Sequence, residues 1–190
     1  QIDSVNIRII DDDVNGAYGN NGLDAILIGD AKVAVPLRAY HRIGENFYQL
    51  QMFANGEKLK FQQIKFPNIG LVQSPFPTET LMGLVLENGA GAFNLLDCGK
   101  DGIPAGTYHL AYGMVGTEKD PLSFFRVKDT VTYTIENNKI NLLRIGPPIQ
   151  LIFSSVFQAV NKTTKAPGHI GIVHPQYAMG SGGEIYGPLS

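Results

Sequence analysis

Alternation of apolar and polar residues with a period of two is the feature that most limits the fold of this chain. Tyr48, Leu50 and Met52 alternate with glutamines, and segments 108–114 and 130–135 repeat the pattern. Successive side chains of a strand point to opposite faces, so this period predicts strands with one buried and one solvated face. No segment of about a dozen residues has the i, i+3, i+4, i+7 spacing of an amphipathic helix. The sequence therefore predicts an all-β protein.

Turn-forming dipeptides separate the predicted strands. Asn55-Gly56 and Asn137-Asn138 each stand between two strand patterns, and both accept the positive φ that a two-residue hairpin turn requires. Such spacing is typical of a β-sandwich of the jelly-roll or Ig-like type, with a barrel as the alternative. The apolar segments 149–153 and 156–160 predict a central strand that is covered on both faces.

The N-terminal residues differ from the rest of the chain. Val5, Ile7 and Ile9 alternate with polar residues, which predicts a strand over residues 4–10. Residues 11–22 are rich in Asp, Asn and Gly and have little to bury. We therefore divide the chain into an N-terminal extension strand with its tether, residues 1–23, and a single β-sandwich domain, residues 24–190.

Acidic residues in segment 11–16 match the first half of a calcium-binding loop. Oxygen-bearing side chains occupy the first, third and fifth positions, and Gly16 occupies the sixth. Calcium takes six to eight oxygen ligands. The twelfth position is Gly22 instead of the usual glutamate, so Asp24 or a backbone carbonyl would complete the shell. The prediction is a structural Ca²⁺ site formed by Asp11, Asp13, Asn15 and Asp24, and the alternative is a solvated acidic turn.

Charge and cysteine content exclude several classes of function. The 15 basic and 17 acidic residues give a net charge of −2, without the basic surface that nucleic-acid binding needs. The weakly charged segment 145–160 is too short and too polar to span a bilayer. Cys98 is the only cysteine and cannot form an internal disulfide. We expect no nucleic-acid partner and no membrane span.

Composition favours a location outside the cell. Charged residues make up only 17% of the chain, against about 25% in an average soluble domain. The chain contains 13 Asn and 9 Gln, and Asn161-Lys162-Thr163 is an acceptor sequence for glycosylation at Asn161. Gln1 is typical of a processed N-terminus. These features together predict a secreted protein, on an extracellular surface or a virion.

The residues that could carry catalysis do not form a recognisable motif. The histidines at 41, 109, 169 and 174 lack the spacing of a metal site, and Cys98 is expected to be a buried thiol. Neither a nucleophile elbow nor a phosphate-binding loop is present. We therefore predict that the protein is not an enzyme. The less favoured alternative is an enzyme with His109 or Asp97 in the mouth of a barrel.

The leading hypothesis is a structural, self-assembling subunit of a filament, appendage or coat, whose partners are copies of itself. Its residues Val5, Ile7 and Ile9 would enter an open groove of the neighbouring copy and pair with an unpaired strand edge. The simpler arrangement is that this strand pairs within its own domain. The second hypothesis is a secreted module that binds carbohydrate or another surface ligand by stacking on tyrosines. The candidate tyrosines are Tyr108, Tyr112, Tyr133, Tyr177 and Tyr186.

Overall fold

The structure is a computed structural model that describes residues 1–12, 14–18, 24–53, 58–77, 80–98, 101–116, 123–126, 131–146, 150–159, 169–182 and 185–186. Within these residues the chain forms mostly strands and one four-residue helix, which confirms the all-β prediction. The first half contains β1 (Ile7–Ile10), β2 (Ala25–Ile28), β3 (Val35–Pro36), β4 (Tyr40–Ile43), β5 (Asn46–Phe53), β6 (Lys58–Ile64), β7 (Ile69–Gln73), β8 (Leu81–Glu87), β9 (Ala92–Asn94) and α1 (Leu95–Cys98). The second half contains β10 (Ile103–Pro104), β11 (Gly106–Val115), β12 (Ser123–Arg126), β13 (Tyr133–Ile135), β14 (Ile140–Leu142), β15 (Gln150–Ala159), β16 (His169–Met179) and β17 (Ile185–Tyr186).

The described strands form several open sheets. Three sheets have three strands each, in the orders β1-β2-β3, β4-β5-β6 and β10-β7-β14. The largest sheet has the order β15-β16-β17-β12-β11-β8-β9, and β13 also pairs with β11. The pairing is antiparallel except between β7 and β14. None of these sheets closes on itself, so the architecture is that of a sandwich.

Two hydrophobic cores lie on opposite faces of β8. Leu84 and Leu86 belong to one core and Val85 to the other, because successive residues of a strand point to opposite faces. The α1-side core consists of Leu81, Leu84, Leu86, Phe93, Cys98, Ile103, Tyr108, Leu110, Ile135, Leu143 and Ile145. The β1-side core consists of Ile26, Val33, Val35, Leu37, Leu50, Val85, Ala92 and Met114. The strand β8 is therefore buried on both faces.

A β-bulge lets β11 contribute to both cores. Leu110 pairs with Leu86 but Tyr112 pairs with Val85, so Ala111 is an extra residue in the ladder. Before the bulge, Leu110 points into the α1-side core, and after it Met114 points into the β1-side core. One inserted residue reverses the faces of a strand because the side-chain period is two.

Three sequence expectations about strands have different outcomes. Asn138 has a positive φ of 55°, but β13 and β14 on either side of it lie in different sheets, so the predicted hairpin there is wrong. The predicted Asn55-Gly56 turn lies outside the described residues. The strand β15 ends the strand order instead of occupying its centre. Among the described residues, no helix has the length and apolar character needed to cross a bilayer.

Candidate functional site

The N-terminal segment is docked against its own chain. Ile2 and Val5 exchange backbone hydrogen bonds of 3.0 and 2.7 Å, and Asp3 and Ser4 form the corner with φ values of 48° and 65°. All four residues of β1 then pair with β2 in an antiparallel ladder. The strand that the sequence places in an N-terminal extension therefore pairs with the first strand of the body. In the single chain, residues 7–10 pair in cis.

The corner of this segment is held by the strand β5. The Tyr48 hydroxyl and Asn46 Nδ2 both donate to Asp3 Oδ2, the second over 3.0 Å. The hydrogen bond from Tyr48, and then that from Asn46, lowers the pKa of the Asp3 carboxyl, while the same carboxylate raises the pKa of Tyr48. Asp3 itself is exposed. These bonds therefore fix the position of the N-terminus without burying its charge.

The apolar residues of the segment bridge two sheets. A Cβ at Gly29, just after β2, would lie 3.3 Å from a methyl group of Val5, and one at Gly44, between β4 and β5, would lie 3.6 Å from the other. Both glycines have a φ of 59°, which disfavours other residues there. Ile7 and Ile9 pack against the β1-side core. All three predicted assembly residues are thus half-buried within their own chain.

The predicted calcium ligands are only partly brought together. Ile10 pairs with Ala25 at the end of the ladder, which places Asp11 and Asp24 at the same end of β1 and β2. Asp24 is buried at 1% exposure, whereas Asn15 is exposed. Asp13 lies outside the described residues, and the part of the chain that is described contains no cluster of three or more His, Cys, Asp or Glu suited to a metal.

Asp11 has a hydrogen-bonding role of its own in this loop. Its two carboxylate oxygens accept the backbone N–H groups of Asn15 and Gly16 over 3.1 and 2.8 Å. The side-chain oxygen of Asn15 in turn accepts the N–H of Ala17 over 2.7 Å. Asp and Asn side chains often stabilise turns in this way. The loop is therefore curled by backbone contacts, as in the solvated-turn alternative.

A cavity of about 410 Å³ opens beside Val5. Its volume falls in the range of small-ligand sites. Its wall contains charged side chains of both signs and one amide. The charged residues are Asp30, Lys32, Arg42 and Asp97, and the amide is that of Asn94. Because Val5 forms part of the wall, the N-terminal segment completes this cavity.

Arg42 is the most buried charged group of the cavity wall, at 6% exposure. Its Nε donates to the Gly44 carbonyl over 3.0 Å, and its Nη2 donates to Asp101 over 2.5 Å. Its Nη1 lies 3.3 and 3.4 Å from the carbonyls of Cys98 and Gly102. A guanidinium offers five N–H donors in a rigid plane, and here each nitrogen has a protein acceptor. Arg42 therefore ties β4 to the loop after α1.

Asp97, on α1, lines the same cavity. Partial burial raises the pKa of its carboxyl, and a hydrogen bond from Asn94 over 2.8 Å opposes that rise. Asn94 is itself buried, and its oxygen accepts the backbone N–H of Leu84 over 3.1 Å. The signal that sequence reasoning missed is Asn94 at the end of the apolar strand β9. A buried amide there organises the start of α1.

The histidines and the cysteine have different environments. His41 is fully buried and accepts the N–H of Arg38 at Nε2 over 3.0 Å, and burial lowers its pKa to about 4. His109 is exposed on β11 and does not line the cavity that contains Asp97. Cys98 is buried in the α1-side core, where burial raises the pKa of its thiol to about 12. The histidines at 169 and 174 lie on β16.

The tyrosines considered for sugar binding are used in packing wherever their side chains are described. Tyr108 is a member of the α1-side core, at 1% exposure. Tyr133 packs against the same core, and Tyr112 packs against the β1-side core. Burial raises the pKa of Tyr108 and that of Tyr112 to about 12. A stacking surface made of these three rings is therefore not formed. The predicted glycosylation site, Asn161, lies outside the described residues.

Comparison with known proteins gives no match. The chain matches no protein-family model, no curated protein and no solved structure.

Proposed function

We propose that the protein is a structural, self-assembling subunit, secreted to an extracellular surface or part of a virion, in which copies exchange the N-terminal segment 4–10. The observation that carries this proposal is the way in which the segment is seated. It contacts the body through three half-buried aliphatic residues and one short ladder, and Asp3 just before it accepts two hydrogen bonds from β5. A second copy offers the same groove and the same contacts, so exchange loses no interaction.

The connection between β1 and β2 is long enough for exchange. Antiparallel neighbours can be joined by two residues, yet fourteen residues, 11–24, connect these strands. Fully extended, they span about 46–50 Å. Val5, Ile7 and Ile9 are half-buried, so each contributes less than the roughly 1.5–3 kcal/mol of a fully buried side chain. Such contacts are strong enough to hold a neighbour and weak enough to exchange.

A structural Ca²⁺ at Asp11, Asp13, Asn15 and Asp24 is a separate part of this proposal. Neutralising clustered acids would stiffen the connection between β1 and β2. Calcium titration of the full chain by calorimetry tests it, with Asp13→Asn as the variant that loses binding and Asp30→Asn as the control. Equal heats from all three proteins would contradict the site.

Exchange is tested with two variants that each carry one introduced cysteine. Asn6 and Gly29 are joined by a backbone hydrogen bond. The next pair of the ladder, Ile7 with Ile28, is therefore a non-hydrogen-bonded pair, whose Cα atoms lie about 4.5 Å apart. That distance permits a disulfide. Ile7→Cys and Ile28→Cys proteins are mixed, incubated and oxidised. Exchange predicts a covalent dimer of the two different chains.

The matched control uses a ladder inside the body. Thr107 and Thr134 are both exposed and pair between β11 and β13, so Thr107→Cys mixed with Thr134→Cys reports random collisions. The native Cys98 is buried, with a thiol pKa of about 12, and does not compete. No excess of the Ile7–Ile28 dimer over this control would show that the segment stays in cis. A monomer at every concentration in sedimentation would contradict self-assembly itself.

The second candidate function, a secreted binding module, is supported by the cavity beside Val5. Its volume of about 410 Å³ and its mixed charges suit a small polar ligand or the end of a glycan. A glycan array probed with the native protein and with Lys32→Ala tests this candidate. Retention of the native protein but not of Lys32→Ala would favour the binding function. An array that retains neither protein would contradict it.

A further inference from the structure

The strand β15 is an edge of the largest sheet. Among the described strands its only partner is β16. It is ten residues long and contains no Asp, Glu, Lys or Arg. Exposed edges normally carry charge, proline or a short strand, because unpaired N–H and C=O groups recruit other strands. The strand β15 has no charge, no proline and no short length to protect it, and its ladder with β16 has one irregularity, between Ile152 and Phe153.

Most of the β15–β16 hairpin extends beyond the rest of the sheet. The strand β17 pairs with β16 only at Ala178 and Met179. Within the described part of the chain, residues 153–159 and 169–175 pair only with each other. A two-stranded ribbon is at best marginally stable in water, and a third strand changes that. Within the described strands, the outer edge of β15 therefore has no partner, and a further strand would stabilise the ribbon.

The sequence of β15 is complementary to itself. In an antiparallel pair, two facing residues both point their N–H groups toward the partner strand or both point them away from it. When the two strands are identical, the twofold axis therefore passes through a position at which a residue faces its own copy. With Ser154 on the axis, Ile152 faces Val156 of the second copy and Leu151 faces Phe157. Such aliphatic and aromatic pairs stabilise sheets.

Other residues of β15 support the same axis. With Ser154 at the centre, Gln150 faces Gln158 of the second copy and serine faces serine. Moving the axis to Ser155 places Ile152 opposite Gln158. Only the pairing of Phe153 with Ser155 mixes polarity in the Ser154 register. In the Ser154 register, apolar residues therefore face apolar residues and amides face amides at most positions of the two copies.

We propose that two copies of the protein pair antiparallel through β15, with Ser154 on the twofold axis. The contact is isologous, as in most homodimers, and joins two sheets into one across the dimer. It rests on the self-assembly proposed above but not on exchange of the N-terminal segment. Exchange links one copy to the next, and the β15 contact adds a second, symmetric link.

The test compares two neighbouring serines. In this register the Cα atoms of Ser154 in the two copies face each other, about 4.5–5.5 Å apart, which a disulfide can bridge. The Cα atoms of Ser155 in the two copies are offset by two residues and about 8 Å apart, which is too far. Ser154→Cys is expected to form a covalent dimer on oxidation, and Ser155→Cys is not. Circular dichroism of both variants confirms that they are folded.

Each outcome decides the proposal. Preferential crosslinking of Ser155→Cys would overturn the Ser154 axis, and equal or absent crosslinking of both variants would overturn pairing through β15. If sedimentation shows an oligomer in that last case, self-assembly stands and uses another surface. A protein that sediments only as a monomer contradicts both proposals. As a second measurement, Ser154→Lys is expected to weaken dimerisation at least tenfold, and an unchanged dissociation constant would also overturn the contact.

Discussion

The end strands β6 and β15 differ in the charge of their sequences. The strand β6 ends the β4-β5-β6 sheet and carries Lys58 and Lys60, both exposed. The strand β15 ends the largest sheet and carries no charge over ten residues. Lysine at an edge makes strand addition costly, because a partner strand must bury or repel the charge. Among the described strands, β6 therefore has a charged edge and β15 an uncharged one, and the proposed contact uses the uncharged edge.

The polar groups that matter for folding lie elsewhere. His41 and Arg42 are buried in β4 and satisfy backbone groups there. Edge charges are solvated and change folding stability little. Folding and association should therefore respond to different substitutions, and each prediction below separates the two or tests the contrast between β6 and β15.

The largest expected effect is a loss of folding stability at low pH. The pKa of His41 is about 4 in the folded protein and about 6.5 in the unfolded chain. The unfolded chain therefore binds more protons between these values, so stability present above pH 6.5 is lost as pH falls toward 4. The loss is about 3 kcal/mol in the free energy of unfolding. Urea denaturation across this range measures it.

Variants isolate the contribution of His41. His41→Gln keeps an acceptor for the Arg38 N–H and should reduce the pH dependence of unfolding by close to one proton. Thr107→Gln, on the exposed face of β11, removes no titrating group and is the control for the substitution itself. The same slope in all three proteins would show that His41 is not the buried titrating group.

The next prediction concerns dimerisation of a variant in which β15 carries charges like those of β6. Ser154→Lys with Val156→Lys gives β15 the lysine spacing of β6. It should weaken dimerisation at least a hundredfold, or about 2.7 kcal/mol, because like charges then face each other across the twofold axis. Sedimentation equilibrium measures the dissociation constant. An unchanged dissociation constant for this variant would mean that β15 does not form the dimer contact.

The smallest effect is the reverse change. Lys58→Thr with Lys60→Thr removes the charges of β6 while keeping residues that suit a strand. We expect weak additional self-association, by a few-fold in the second virial coefficient from light scattering, and a free energy of unfolding within about 0.5 kcal/mol of native. Lys139→Thr, whose residue lies in a turn outside any strand, is the control. An unchanged virial coefficient would mean that lysine does not protect this edge.

The fold class could be predicted from the alternation of apolar and polar residues, but the arrangement of the strands could not. Tyr48 and Leu50 are buried as the alternation predicts, because burial on one face is a local property of a strand. Partner choice is not local. Nothing in residues 4–10 distinguishes a strand that pairs with β2 of its own chain from one that pairs with β2 of another.

The candidate site was less predictable for the same reason. Arg42 and His41 stand in a short strand whose sequence shows no alternation. The carbonyls that Arg42 binds belong to Cys98 and Gly102, which are 56 and 60 positions away in the sequence. Asp11 and Asn15 were predicted as calcium ligands, which stays a prediction, and the structure shows both side chains accepting backbone N–H groups of their own loop. The bulge at Ala111 has no signal in one sequence, because Ala fits either face.

That bulge has a consequence for how the molecule can be divided. The strand β11 supplies Leu110 to one core and Met114 to the other, so neither core is complete without it. A break or circular permutation inside β11 would dismantle both cores together, whereas the same operation in the connection between β1 and β2 would leave both intact. The two cores are therefore expected to form and to unfold together.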